Sequence, residues 1–132
     1  GIGIAGFPNM FIVVGPGSPS LLSNVILSIE QQVDWLSSLI EYAKIEDVTL
    51  IEATQEAERD WVDHVNLRAK ETLYPKAESY YVGAEIPGKP RVFMPYSGGV
   101  RAYRRTLERV AEGGYQGFLL SRASASSSAP LI

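Results

Sequence analysis

Cysteine is missing from all 132 residues, and histidine occurs once, as His64. The first absence excludes a disulfide scaffold, a cysteine-bound zinc and a thiol nucleophile. The second excludes a metal centre built from several histidines. No apolar run reaches the ~18–20 residues of a membrane span. The apolar, Gly-rich opening lacks the basic stretch of a signal peptide, so a cytoplasmic location is expected. Lys and Arg are absent before Lys44. There is no P-loop lysine, no G-x-G-x-x-G fingerprint, no G-x-S-x-G elbow and no Asp/Asn-Gly calcium loop. No catalytic constellation and no metal ligands are therefore assigned.

The composition itself is that of a globular domain: 45% hydrophobic and 20% charged residues, with a net charge of −3. Wholesale disorder is excluded, and the length suits one domain. The small net charge hides an asymmetry. Residues 41–64 carry a net −6 and residues 65–132 a net +5. The basic residues are spread out and mixed with acids, which argues against a nucleic-acid footprint.

Met10 to Val14 is an apolar run bounded by turn residues, the pattern of a strand buried on both faces of a parallel sheet. Gly15-Pro16-Gly17 follows, then Ser18-Pro19 as a helix cap with proline at the first helical position. Leu22, Ile26, Ile29, Val33, Leu36 and Ile40 recur every three or four residues and predict an amphipathic helix over 19–43. Thr49 and Glu52 match a capping box. Ala53, Ala57, Trp61, Val65 and Ala69 mark one face of a second helix over 50–72. Residues 74–90 show no period and read as a long ordered loop with a Pro87-Gly88 turn. Arg91 to Tyr96 predicts a short strand limited by Pro95. Val100, Tyr103, Leu107 and Val110 predict a third helix, stopped by Gly113-Gly114. Gly117 to Leu120 predicts a last strand, and the Ser/Ala-rich 122–132 a tail.

The Gly-Pro-Gly junction is the strongest chemical candidate. A helix N-terminus leaves N–H groups unpaired and carries about half a positive charge. Glycines before it admit a ligand close to the backbone. With no Lys or Arg nearby, backbone dipoles would bind an anion alone; a plain strand-to-helix turn is the alternative. His64, beside the apolar stripe of the second helix, reads as a boundary residue, and Trp35 and Trp61 as packing residues. Arg101, Arg104, Arg105 and Arg109 form a row on the third helix, read as a solvated face paired with Glu108 and Glu112.

Longer strings carry a resemblance. Gly6-Phe7-Pro8-Asn9-Met10-Phe11, Gly15-Pro16-Gly17-Ser18-Pro19-Ser20 with Leu22-Ser23-Asn24, and Val33-Asp34-Trp35 resemble the C-terminal part of the Baeyer–Villiger flavin monooxygenases. Glu56-Ala57-Glu58 with Trp61-Val62, Pro87-Gly88-Lys89-Pro90-Arg91-Val92-Phe93-Met94 and Gly114-Tyr115-Gln116-Gly117-Phe118 continue it. The resemblance covers residues 5–120 and is nearest to the phenylacetone, cyclohexanone and steroid monooxygenases.

That resemblance implies a partial α/β fold: the helix-rich C-terminal segment of a doubly wound FAD/NAD(P)-binding flavoprotein, with three helices and two to three short strands. Residues 1–121 would complete the FAD domain and carry a lid loop at 79–90. The implied reaction inserts oxygen into a ketone, giving an ester or lactone, through reduction of FAD by NADPH and a C4a-peroxyflavin. Both cofactors need upstream domains, so the segment alone would be inactive. The implied cofactor-binding residues are Gly15, Pro16, Gly17, Asn24, Val25, Tyr80 and Lys89; the implied substrate-lining residues are Ser20, Leu21 and Leu22. The family's Ser-Trp-Tyr appears here as Ser79-Tyr80-Tyr81, and its Gly-Ala-Asn as Gly83-Ala84-Glu85. A ketone and O₂ are the expected partners, with no nucleic acid and no membrane, and the isolated chain would self-associate through exposed apolar surface. Two alternatives stand beside this reading: a sulfide- or amine-oxygenating enzyme of the same class, and a stand-alone, non-catalytic binding or structural module.

Overall fold

The computed structural model describes residues 1–19, 23–76, 80–83, 86–88 and 92–122. Three helices carry most of the order: α1 (Val25–Ile45), α2 (Gln55–Lys70) and α3 (Val100–Glu112). Two short strands, β1 (Leu50–Ala53) and β2 (Phe118–Ser121), pair antiparallel with Leu50 opposite Ser121 and Ala53 opposite Phe118. Single 3-10 turns form at Tyr74–Lys76 and Tyr80–Val82.

α1 begins later than the sequence suggests. Its N-cap is Asn24, whose side chain accepts from the N–H groups of Ile26 and Leu27. Ser18 and Pro19, the expected cap and first residue, are instead buried. Ser18 is turned into the molecule: its hydroxyl lies 3.3 Å from the Tyr103 hydroxyl, and its carbonyl accepts from the Tyr96 N–H at 3.0 Å.

The stretch 10–14 is not a strand. It contributes one isolated antiparallel bridge, Gly3 with Phe11, and turns away at Val13-Val14, where Val14 sits at φ 56. Met10 and Val13 are exposed rather than buried. The segment is held from its neighbour instead. The Asn9 side chain accepts from the Ile51 N–H at 2.9 Å and donates to the Thr49 carbonyl at 3.0 Å. It thereby satisfies backbone groups on the β1 edge that β2 leaves open.

α2 also starts later, because residues 50–53 are used as β1. Thr54 is the cap, its hydroxyl accepting from the Ala57 N–H at 3.1 Å, while its own N–H donates to the Gly117 carbonyl at 2.8 Å. Glu52, expected in a capping box, accepts instead from the Gly6 N–H at 2.7 Å. The expected face of α2 holds, with Val65 and Ala69 buried. α3 runs as expected and ends at Gly113. Arg104 pairs with Glu108 at 2.8 Å on its exposed side, an exposed pair of small energetic weight. Among the described residues 92–96 no strand forms; this segment runs between Gly17-Ser18 and Tyr81 through single hydrogen bonds.

The main core joins Trp35, Leu39 and Ala43 of α1 to Ile51, Val65, Tyr96, Tyr103, Leu107 and Tyr115. Trp35 donates to the Leu107 carbonyl at 2.8 Å and meets the Tyr115 ring edge-on, 5.5 Å between centroids. A smaller cluster gathers Ala69, Val82 and Phe93.

Of the apolar stripe that defined α1 in the sequence, Leu36 packs on the core and four other members face outward. Ile26, Ile29, Val33 and Ile40 are exposed, while the polar Ser28 and Gln32 are buried beside Trp35 and Leu39. The Gln32 carbonyl oxygen accepts from the Val14 N–H at 2.8 Å.

Candidate functional site

Three separate elements, the segment 92–96, α2 and α3, converge on Gly17 and Ser18. The Gly17 N–H donates to the Met94 carbonyl at 2.7 Å, and the Tyr96 N–H donates to the Ser18 carbonyl at 3.0 Å. From α2, the Trp61 indole N–H donates to the Gly17 carbonyl at 3.0 Å. From α3, the buried Tyr103 hydroxyl meets the Ser18 hydroxyl at 3.3 Å. Gly17 itself lies at φ 77, and a Cβ there would stand 2.8 Å from the Trp61 indole nitrogen. Only glycine satisfies both the backbone angle and the close approach.

An aromatic stack surrounds this junction. Trp61 lies on His64, 5.3 Å between centroids, tilts against Tyr96 at 5.1 Å and meets Tyr103 edge-on at 5.7 Å. His64 Nε2 and the Tyr96 hydroxyl are 3.3 Å apart. The Tyr96 ring in turn covers Gly98, where an added Cβ would collide with the phenol. Burial raises the Tyr96 hydroxyl above its usual pKa, against the opposing pull of the Arg68 and Arg109 cations. Tyr103 is likewise raised by burial, with the Ser18 hydrogen bond opposing. Both phenols stay protonated at neutral pH and can donate. The other side of His64 lines an open cleft with Asp60, Thr106 and Arg109. A second, more enclosed cleft of about 280 Å³ runs beside Pro16, Gly17, Trp61 and Met94.

The cofactor and substrate candidates divide into four groups. Gly15, Pro16 and Gly17 do not lead directly into a helix, since α1 begins at Val25. The helix dipole expected at the Gly-Pro-Gly turn therefore lies at Asn24 and Val25, two further candidates. That end carries no acidic residue in its first turn. Tyr80 opens the 3-10 turn Tyr80–Val82, and Met94 ties this turn to Gly17: its N–H donates to the Tyr81 carbonyl at 3.1 Å while its carbonyl accepts from Gly17. Ser20, Leu21, Leu22, Lys89, Ser79 and Glu85 lie outside the described residues.

The residues that the sequence did not single out are Ser18, Tyr96 and Tyr103, together with the pairing of His64. His64 and Tyr96 are 32 positions apart, and no local pattern connects them. Among the described residues, no group of three or more His, Asp or Glu is placed to hold a metal ion, and no helix is long and apolar enough to cross a membrane.

No protein-family model matches the chain. Curated relatives do. The chain is 43% identical over 120 residues to phenazine N-monooxygenase PhzNO1 of Lysobacter antibioticus, covering 91% of this chain and 22% of that protein. It is 42% identical over 118 residues to cyclohexanone 1,2-monooxygenase of Acinetobacter sp, covering 89% and 21%. It is 40% identical over 118 residues to a Baeyer-Villiger monooxygenase of Pseudooceanicola batsensis, again covering 89% and 21%. Among solved structures, oxidized steroid monooxygenase bound to NADP superposes with a TM-score of 0.84 at 44% identity, over 93% of this chain and 22% of that one. OTEMO in complex with FAD and NADP superposes with a TM-score of 0.82 at 33% identity, over 92% and 22%. The chain thus spans about 22% of the length of the enzymes it matches, and its fold is one part of their larger α/β flavoprotein fold.

Proposed function

We propose that this chain, homologous to one segment of the Baeyer–Villiger-type monooxygenases, completes the FAD domain of an FAD- and NADPH-dependent enzyme that inserts oxygen into a ketone. The observation that carries the reading is the superposition, TM-score 0.84 over 93% of the chain, on a steroid monooxygenase bound to NADP. FAD, reduced by NADPH, supplies the oxygen chemistry when bound. The chain's own residues bind and orient. Asn24 and Val25 present the N-terminus of α1 to the electron-rich edge of the flavin, where the dipole favours negative charge. The absence of acidic residues in that first turn fits an anionic neighbour. Gly15, Pro16 and Gly17 shape the approach to this end. Tyr80 and Lys89, within a lid at 79–90, contact NADP, and Ser20, Leu21 and Leu22 line the substrate pocket. Residues 1–121 belong to the FAD domain and 122–132 form a tail. The exposed stripe of Ile26, Ile29, Val33 and Ile40 is the surface that the rest of such a domain, or a second copy of the isolated chain, would cover. The enzyme would work in the cytoplasm with O₂ as co-substrate, and the segment alone would be inactive.

A second reading, oxygenation at nitrogen rather than next to a carbonyl, is favoured by the phenazine N-monooxygenase among the relatives. One experiment addresses both. The chain replaces the matching 118 residues of the Acinetobacter cyclohexanone 1,2-monooxygenase, and FAD content and substrate-stimulated NADPH oxidation are measured with a ketone and with an aromatic N-heterocycle. Retained FAD with ketone-stimulated oxidation supports the first reading. Stimulation by the heterocycle alone supports the second. A folded exchange enzyme that binds no FAD overturns both.

A further inference from the structure

We infer that His64 and Tyr96 are positioning residues that hold the Tyr80–Val82 turn at a fixed distance from the Gly17-Ser18 step, and so couple the two cofactor-facing parts of the chain. The inference rests on the function proposed above for its enzymatic consequence, but its geometric half stands alone. Met94 is the bridge. Its N–H reaches the Tyr81 carbonyl at 3.1 Å and its carbonyl takes the Gly17 N–H at 2.7 Å. Two residues on, the Tyr96 N–H takes the Ser18 carbonyl at 3.0 Å. The whole connection consists of single hydrogen bonds rather than a continuous ladder, so it has little cooperative strength of its own.

What keeps segment 92–96 in register is the Tyr96 side chain. It is 2% exposed, wedged over Gly98, tilted on Trp61, and met at its hydroxyl by His64 Nε2 at 3.3 Å. Trp61 closes the circuit, because the same indole that stacks on His64 donates to the Gly17 carbonyl. One short stretch of α2 therefore grips both ends of the connection: Trp61 takes the Gly17 side and His64 the Tyr96 side. A shift of the Tyr80–Val82 turn is passed through Met94 to Gly17, and from there to the backbone that runs on to the N-terminus of α1. On the proposed function, these are the NADP-facing and flavin-facing parts. The charged groups facing the pair are Glu56 and Asp60 on the helix of His64 and Arg109 on α3, which line the same cleft, with Arg68 of α2 acting on the Tyr96 hydroxyl. None is needed for the grip.

The test uses the exchange enzyme loaded with FAD and two conservative variants. His64→Phe keeps a ring on Trp61 and removes the hydrogen bond; Tyr96→Phe removes the same bond from the other side. Each is expected to raise the KM for NADPH about three- to tenfold, the span of one neutral hydrogen bond, with kcat within about twofold. The double variant is expected to match the singles, because both remove one bond. His64→Gln, which restores a donor and acceptor, is expected to recover most of the loss. Hydrogen exchange supplies the readout that does not need turnover. In both variants the amides of 80–83, 92–96 and Gly17-Ser18 are expected to exchange faster, with β1 and β2 unchanged. Exchange that rises equally everywhere, or not at all, overturns the positioning role. Local exchange that rises as expected while the NADPH KM stays unchanged leaves the grip in place and overturns its link to the cofactor. An exchange enzyme that never binds FAD counts against the proposed function, while the exchange pattern still decides the grip.

Discussion

Gly17→Ala puts the junction to the most direct stability test. The native φ of 77 places an alanine in the left-handed region, which costs an L-residue about 1–2 kcal/mol. The new methyl would also stand 2.7 Å from the Gly1 nitrogen and 2.8 Å from the Trp61 indole nitrogen, and the indole must move away. Its 3.0 Å bond to the Gly17 carbonyl is then lost, a further ~0.5–1.5 kcal/mol. The expected total is about 2–3 kcal/mol, read as a lowered urea midpoint at unchanged m-value. The same substitution in a Trp61→Phe background isolates the second contribution. The indole donor is already gone there, so the loss is expected to fall by that hydrogen bond, leaving the backbone cost of about 1–2 kcal/mol and the 2.7 Å approach to the Gly1 nitrogen that both backgrounds share. A Gly17→Ala protein within about 0.5 kcal/mol of the parent would refute the reasoning. So would an equal cost in both backgrounds, because the clash with Trp61 would then carry no weight.

Three further outcomes follow from the fold. Thr54→Ala removes the cap of α2 and leaves the Ala57 N–H without its 3.1 Å acceptor; a loss of about 1 kcal/mol in denaturant unfolding is expected. Trp35→Phe keeps an aromatic ring against Tyr115 but removes the 2.8 Å bond to the Leu107 carbonyl. That carbonyl lies within α3, so about 1–2 kcal/mol is expected rather than the ~3–5 kcal/mol of full truncation. The Gly1 amine, lowered to about 6 by burial against the opposing attraction of Glu58, makes stability pH-dependent in the chain with a free amino terminus. Between about pH 6 and 8 the unfolded state holds more protons. Stability therefore rises with pH across that window, by at most ~1.4 kcal/mol per unit, and the gain is absent below it. N-terminal acetylation is expected to flatten this slope in pH-resolved thermal melts.

The helical architecture was legible wherever local punctuation and periodicity agreed. α3 is bounded by Gly98-Gly99 and Gly113-Gly114, and its buried Tyr103 and Leu107 lie on the stripe that the spacing marks. β2 was legible as a short apolar run after Gly117. The misreadings share one cause: tertiary partners claimed the residues that local rules would use. Ser18 resembles a helix cap, but Tyr96 and Tyr103 draw it into the interior, and Asn24 caps α1 in its place. Thr49 and Glu52 resemble a capping box, but the pairing of β1 with β2 takes the first and Gly6 the second. Met10 to Val14 has the composition of a strand, yet Asn9 ties its start to β1 and Val14 turns its end. The spacing on α1 marks an apolar stripe, but Ile26, Ile29, Val33 and Ile40 are exposed while Ser28 and Gln32 are buried, because periodicity alone does not tell which side of a helix meets the core. The grip of His64 on Tyr96 was out of reach for a different reason. It depends on the approach of α2 to a loop from a distant part of the chain, and only the fold creates that approach.

The central claim is that this chain supplies the flavin-facing segment of an oxygen-inserting enzyme. Product formed per NADPH consumed, measured for the exchange enzyme with cyclohexanone under air, tests it most directly. A lactone yield close to one per NADPH is expected. FAD-bound exchange enzyme that oxidises NADPH and releases only hydrogen peroxide, with no oxygenated product from a ketone or an N-heterocycle, would contradict it.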